Sequence, residues 1–238
     1  ATNATATQQL PKLILKHLAK SGGTFAIALL KRVVASPSTL HVWVEGKPVS
    51  RPDQRKNFVI GFAREPCSSY VSMWAYGFRG QFAQSMRNAL GRNVTDALYS
   101  RTPPFNSSED VDRFRQWLRH PNVSGVVTAR FLSSYSDQPS VDCWVLTDRM
   151  SLLTECLQRF EQQGGHIDWS GYSRHWAASL REQPNSSPHA SCSHYFDDLL
   201  ASEVERGVDG SLHEAFGWAG CCATQPPATS PPPAPSRW

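Results

Sequence analysis

The sequence predicts an α/β domain of three layers, with helices on both sides of a mainly parallel central sheet. Short apolar runs alternate with stretches of helical periodicity along most of the chain. One run, "NFVIGFA" (57–63), is apolar almost throughout, as a strand buried on both faces must be. No internal repeat breaks the alternation.

The elements follow in order. "KLILKHL" (12–18) reads as a short buried strand, and "TFAIALLKRVV" (24–34) as a helix from its apolar spacing. "LHVWVEG" (40–46) and "NFVIGFA" are β-rich. "PCSSYVSMWAYGFRGQFAQSMRNAL" (66–90) reads as helix, with Pro66 suited to a first turn, where its missing N–H costs nothing. "SEDVDRFRQWLRH" (108–120) opens on a serine followed by two acids, a start of the helix-capping kind. "VDCWVLT" (141–147) is a further buried strand. "RMSLLTECLQRFEQQ" (149–163) is an amphipathic helix stopped by Gly164-Gly165. "YFDDLLASEVERGV" (195–208) reads as the last helix. Residues 1–10 form a flexible N-terminus and 223–238, "ATQPPATSPPPAPSRW", a Pro-rich disordered tail. The domain therefore runs from 11 to 222.

Composition narrows the function. With 238 residues, 40% apolar and 18% charged, the chain suits one globular domain plus tail. No stretch reaches the roughly 18 apolar residues a membrane span needs. The chain opens at Ala1 rather than Met, which leaves room for a trimmed leader or anchor. A net charge of +4 is too small to argue for a nucleic-acid partner. Its distribution says more: through residue 60 nine basic residues face two acidic ones, so the remainder is net acidic. That asymmetry suits a small anionic ligand near the front of the chain, against the plainer reading of solvated surface lysines. Six cysteines show no small-domain disulfide spacing, and Cys143 and Cys156, set in apolar patterns, read as buried thiols. Sequons at Asn3, Asn93, Asn106, Asn122 and Asn185 favour the secretory pathway and a Golgi-type lumen.

The stretch "KHLAKSGGT" (16–24) sits at a strand-to-helix turn, where an α/β sheet presents backbone N–H groups to anions. Gly22 and Gly23 allow the backbone to curl, Lys20 adds charge, and Ser21 and Thr24 add hydroxyls. A nucleotide triphosphatase needs its lysine after the glycines; here it precedes them. The order strand, Ala-Lys-Ser-Gly-Gly-Thr, helix resembles the 5′-phosphosulfate loop of sulfotransferases that use 3′-phosphoadenosine 5′-phosphosulfate (PAPS). A second segment, "FVIGFAREPCSSYVSMWAYG" (58–77), resembles that family's 3′-phosphate segment. There a strand ends in Arg-Asp/Glu-Pro, here Arg64-Glu65-Pro66, and a serine follows eight residues after the arginine, here Ser72. A guanidinium can grip a phosphate through two N–H groups while the hydroxyl reaches a third oxygen. "TARFLSS" (128–134) and "VDCWVLTDRMSLLTECLQRF" (141–160) are weaker echoes of the carbohydrate, Golgi-type branch, with Asp148 where Glu is usual. The likeness covers roughly residues 11–160.

The resemblance implies a P-loop-like sulfotransferase fold and sulfuryl transfer from PAPS, leaving 3′,5′-ADP, to a carbohydrate or small-molecule acceptor hydroxyl, with no metal required. It implies that Lys20 stabilises the departing bridging oxygen, that Ser21, Gly22, Gly23, Thr24 and Phe25 hold the 5′-phosphate, and that Arg64 and Ser72 hold the 3′-phosphate. A general base is also needed. Glu45, at the carboxyl end of its expected strand, stands ahead of His41 near the opposite end, and His17 reads as a support of the loop. Three rivals remain: an inactive sulfotransferase-like domain that only binds nucleotide or glycan, a kinase-like protein, and a metal module at "HASCSH" (189–194) with Cys221-Cys222. The tryptophans at 43, 74, 117, 144, 169, 176 and 218 could line an acceptor pocket, though core positions suit most of them.

Overall fold

The computed structural model describes residues 11–16, 18, 20–35, 39–43, 57–77, 107–135, 141–181 and 189–223. The two chain ends, Glu45, His17 and the expected helical stretch 78–90 lie outside these residues. Four strands form one sheet: β1 (Lys12–Lys16), β2 (Leu40–Trp43), β3 (Asn57–Ala63) and β4 (Cys143–Leu146). Their spatial order is β2-β1-β3-β4, and every pairing is parallel. In β1 and β3 nearly every residue is buried, which is why their apolar runs show little alternation.

Nine helices are present among the described residues: α1 (Gly23–Val33), α2 (Pro66–Gly77), α3 (Ser108–Leu118), α4 (Val126–Tyr135), α5 (Leu152–Gln162), α6 (Tyr172–Arg181), α7 (Cys192–Tyr195), α8 (Asp198–Arg206) and α9 (Gly210–Phe216). The helix expected to be last is therefore followed by another, and α4, α6 and α7 were not foreseen. Two apolar cores lie on opposite faces of the sheet. Leu13, Leu15, Phe58, Ile60, Phe62 and Val145 meet α1 and α5 on one face, while Ile14, Val59, Trp144 and Leu146 meet α2, α4 and the C-terminal helices on the other. Alternation along each strand divides the residues between two helical layers. Trp74, Trp117, Trp144 and Trp218 belong to the second core, and Trp169 and Trp176 pack against the first.

Local chemistry sets the element ends. Ser107 Oγ accepts the N–H of Asp110, capping α3 one residue before the expected start. Asp197 caps α8 through the N–H of Leu200. Gly164, at φ 92°, ends the turn after α5. Gly61 lets Trp144 lie against the backbone of β3, since a Cβ there would come within 2.6 Å of the indole.

The cysteines depart from expectation. Cys143 and Cys156 are not thiols but a disulfide linking β4 to α5, and Cys67–Cys221 and Cys192–Cys222 pair the rest. Periodicity showed that the first two were buried but not that two adjacent elements bring them face to face. The same pairing removes Cys192, Cys221 and Cys222 as thiolate ligands for the metal module. Chain-entropy arithmetic gives roughly 5 kcal/mol for a bridge spanning 154 residues and roughly 3 kcal/mol for one spanning 13. The double variant Cys67→Ser/Cys221→Ser should therefore lower unfolding stability by about 2–5 kcal/mol in urea titrations. An unchanged midpoint would show that this bridge adds nothing.

Candidate functional site

Because all four strands run parallel, their carboxyl ends share one edge, and the loops that leave them meet there. The β1–α1 loop is a tight curl. Lys20 and Gly22 both adopt left-handed backbone conformations, at φ 68° and 85°. Between them Ser21 is fully buried, its hydroxyl donating to Leu18 O at 2.6 Å and its N–H to the same oxygen at 3.3 Å. The Ser21 hydroxyl thus shapes the turn. Gly22 opens α1 without a side-chain cap, and the first turn of that helix holds no acid. The backbone N–H groups of Gly23, Thr24 and Phe25 begin the helix at this edge, while the Phe25 ring packs edge-on against Trp176.

The β3–α2 loop supplies the next groups. Arg64 donates from Nη1 to Lys20 O at 2.9 Å, tying the two loops together. Burial draws the Arg64 guanidinium down to about 10, with Glu65 and Asp148 pulling the other way. It stays cationic at neutral pH, as a poorly solvated charge with no other hydrogen bond among the described residues. Glu65 acts on the backbone instead: its two oxygens accept the N–H groups of Cys67 and Ser68, each at 2.7 Å, and fix the start of α2. Ser72 is buried in α2 and shares a helix face with Tyr76, four residues on. The Lys20 ammonium lies 4.0 Å from the centre of the Tyr76 ring, so this face turns toward the loop.

The β4–α5 turn closes the third side. Thr147 N–H pairs with Ala63 O at 3.0 Å, beside Arg64. Met150 and Thr147 lie against Gly22, where an added Cβ would fall 3.1 Å from the Met150 sulfur. Arg149, in the same turn, has a buried Nε and Nη1 with no hydrogen-bond partner among the described residues. Below the edge, Tyr135 reaches from α4 to the point where β1 and β3 separate. Its oxygen accepts the Phe62 N–H at 3.0 Å and lies 3.0 Å from Lys16 O.

Lys20, Ser21, Gly22, Gly23, Thr24, Phe25, Arg64 and Ser72 thus come from two separate segments to one side of the sheet. His41 does not join them as closely: it pairs with Ile14, two residues short of the end of β1. Glu45 lies outside the described residues. Arg149, Tyr76 and Met150 were missed as site residues, although Arg149 was findable, because any residue just after a parallel strand reaches the same edge. One other cluster has ligand-like spacing. Glu65, Cys67 and His213 each bring one candidate atom within 4.8 Å of the others. Its sulfur is committed to the bridge with Cys221, and its carboxylate to capping α2, so it buttresses that helix.

No family model, curated protein or solved structure matches the chain. What the site can do follows from its own groups: two helix starts, a curled backbone, one lysine and two arginines at one edge form a candidate receptor for a small multiply charged anion. Gly22→Ala combines a disfavoured φ with a crowded Cβ, so it should destabilise the fold by about 1–2 kcal/mol. It should also distort this receptor. Thermal unfolding of the variant checks the prediction, and an unchanged melting temperature would refute the strained geometry.

Proposed function

We propose that the chain is a sulfotransferase with a P-loop-like fold, using PAPS as donor and a carbohydrate or small-molecule hydroxyl as acceptor. The observation that carries the reading is the hydrogen bond from Arg64 to Lys20 O, which joins the two motif segments that would hold the two phosphate ends of one nucleotide. The residues fit such a ligand. The Arg64 charge is desolvated and Arg149 has unpartnered buried nitrogens, so both gain from a polyanion. Gly22 keeps space that any side chain would fill.

When bound, the donor supplies a sulfuryl group whose S–O bond to the 5′-phosphate breaks as the acceptor oxygen attacks from the opposite side. The backbone N–H groups of Gly23, Thr24 and Phe25, with the Thr24 hydroxyl, hold the 5′-phosphate. The free edge of the Arg64 fork and the Ser72 hydroxyl hold the 3′-phosphate. Lys20 leaves the Tyr76 ring and stabilises the negative charge that grows on the departing oxygen. Its charge and the α1 N-terminus carry out this neutralisation within the protein. Glu45 is assigned to accept the acceptor's proton, with His41 as its rival.

Binding and turnover test different parts of the reading. 3′,5′-ADP should raise the melting temperature, and Arg64→Ala should abolish the rise. An equal rise with ATP and magnesium, and none with the diphosphate, would overturn the donor assignment. With radiolabelled PAPS and panels of glycans, phenols and sterols, Lys20→Ala should lower turnover by about 10²-fold or more while diphosphate binding persists. Glu45→Gln should cost about as much and His41→Ala far less. Diphosphate binding without transfer to any acceptor would identify an inactive nucleotide-binding relative instead.

A further inference from the structure

The chain contains seven asparagines, and five of them stand two residues before a serine or threonine. Serine and threonine make up 40 of the 238 residues, so chance alone would give about one such site. The excess calls for a cause. The cysteines supply independent evidence about where the chain matures. All six are paired in three disulfides, and such bridges persist in oxidising compartments. The lumen that forms disulfides in eukaryotic cells is also where oligosaccharides are attached to asparagine.

One of the five sequons, Asn122-Val123-Ser124, lies within the described residues, in the turn between α3 and α4. Its geometry separates anchoring from presentation. Val123 is 1% exposed, its N–H donates to His120 O at 2.8 Å, and its carbonyl lies 3.1 Å from the Tyr70 hydroxyl. Asn122 and Ser124 on either side are both exposed. The middle residue pins the turn, and the two residues that an oligosaccharide-transferring enzyme must read point away from the core.

We propose that Asn122 is an N-glycosylation site and that the chain matures in an oxidising secretory lumen. The step joins the Asn122 amide nitrogen to the anomeric carbon of an oligosaccharide carried on a lipid pyrophosphate. The bond between that carbon and the pyrophosphate oxygen breaks, the lipid pyrophosphate leaves, and one amide proton is lost to the enzyme's base. No oxidant or reductant is consumed. The glycan extends from a turn anchored through Tyr70, without displacing any core side chain. The proposal does not rest on the sulfotransferase reading.

The test uses the full chain, directed through the secretory pathway of cultured eukaryotic cells and recovered with its three disulfides intact. Trypsin releases residues 120–130, "HPNVSGVVTAR", which hold this sequon and no other. The expected result is a peptide that carries hexose-rich mass. After digestion with peptide N-glycosidase it should appear with Asp at position 122, heavier by about 1 Da, or about 3 Da in heavy-oxygen water. Ser124→Ala should abolish the modification and Ser124→Thr should retain it. Recovery of this peptide wholly unmodified from disulfide-bonded, secreted protein would overturn the proposal. That measurement on the unaltered chain stands even if a variant fails to fold.

Discussion

The parallel direction of the four strands is the constraint on which the candidate site depends. Parallel pairing brings every strand's carboxyl end to one edge, so loops from residues 18–22, 64–65 and 147–151 meet without any of them being long. The sheet must also open there to let the first loop turn away. Tyr135 permits this: its hydroxyl serves the Phe62 N–H and lies at the Lys16 carbonyl, backbone groups that the diverging strands no longer give to each other. A single residue from α4 thereby supports the base of the loop.

Positive charge gathers at this edge through the arrangement of the fold rather than through one residue. Lys20 rests on an aromatic face, Arg64 is half-buried beside a carboxylate already committed to capping a helix, and Arg149 has nitrogens with no acceptor among the described residues. Glu65 is instructive because it follows Arg64 directly yet spends both oxygens on backbone N–H groups. It holds the helix without quenching the guanidinium through a paired salt bridge.

Much of the fold was legible because its signals are local. Strands buried on both faces advertise themselves as apolar runs, and β1, β3 and β4 fall within the expected stretches. The α3 and α5 helices have clear apolar stripes and local stop signals. Beyond residue 160 legibility fails for physical reasons. Only Ser179 of α6 is buried, and the helix meets α1 and the first core through the partly exposed Tyr172 and Trp176 rather than through a stripe of aliphatic side chains. Helix α7 is a single turn, and α9 follows α8 after a three-residue break. The site was legible where motif and strand end coincide, at Lys20 and Arg64. The disulfides were not, because a bridge across 154 residues leaves no local pattern, and burial alone cannot tell a thiol from a cystine.

The two neighbouring cysteines near the C-terminal end of the domain give the chain a problem of assembly order. Cys221 reaches back to the first turn of α2 and Cys222 to α7, and their sulfurs lie 3.9 Å apart. Exchanging partners would join Cys67 to Cys222 and Cys192 to Cys221. Neither bridge can form before nearly the whole domain has been synthesised, whereas Cys143 and Cys156 can join early. The N-terminal strands and the first loop have therefore already emerged when the clamp that holds α2 can close. Pairing each of these adjacent thiols with its own distant partner is a step of thiol–disulfide exchange that falls late in synthesis.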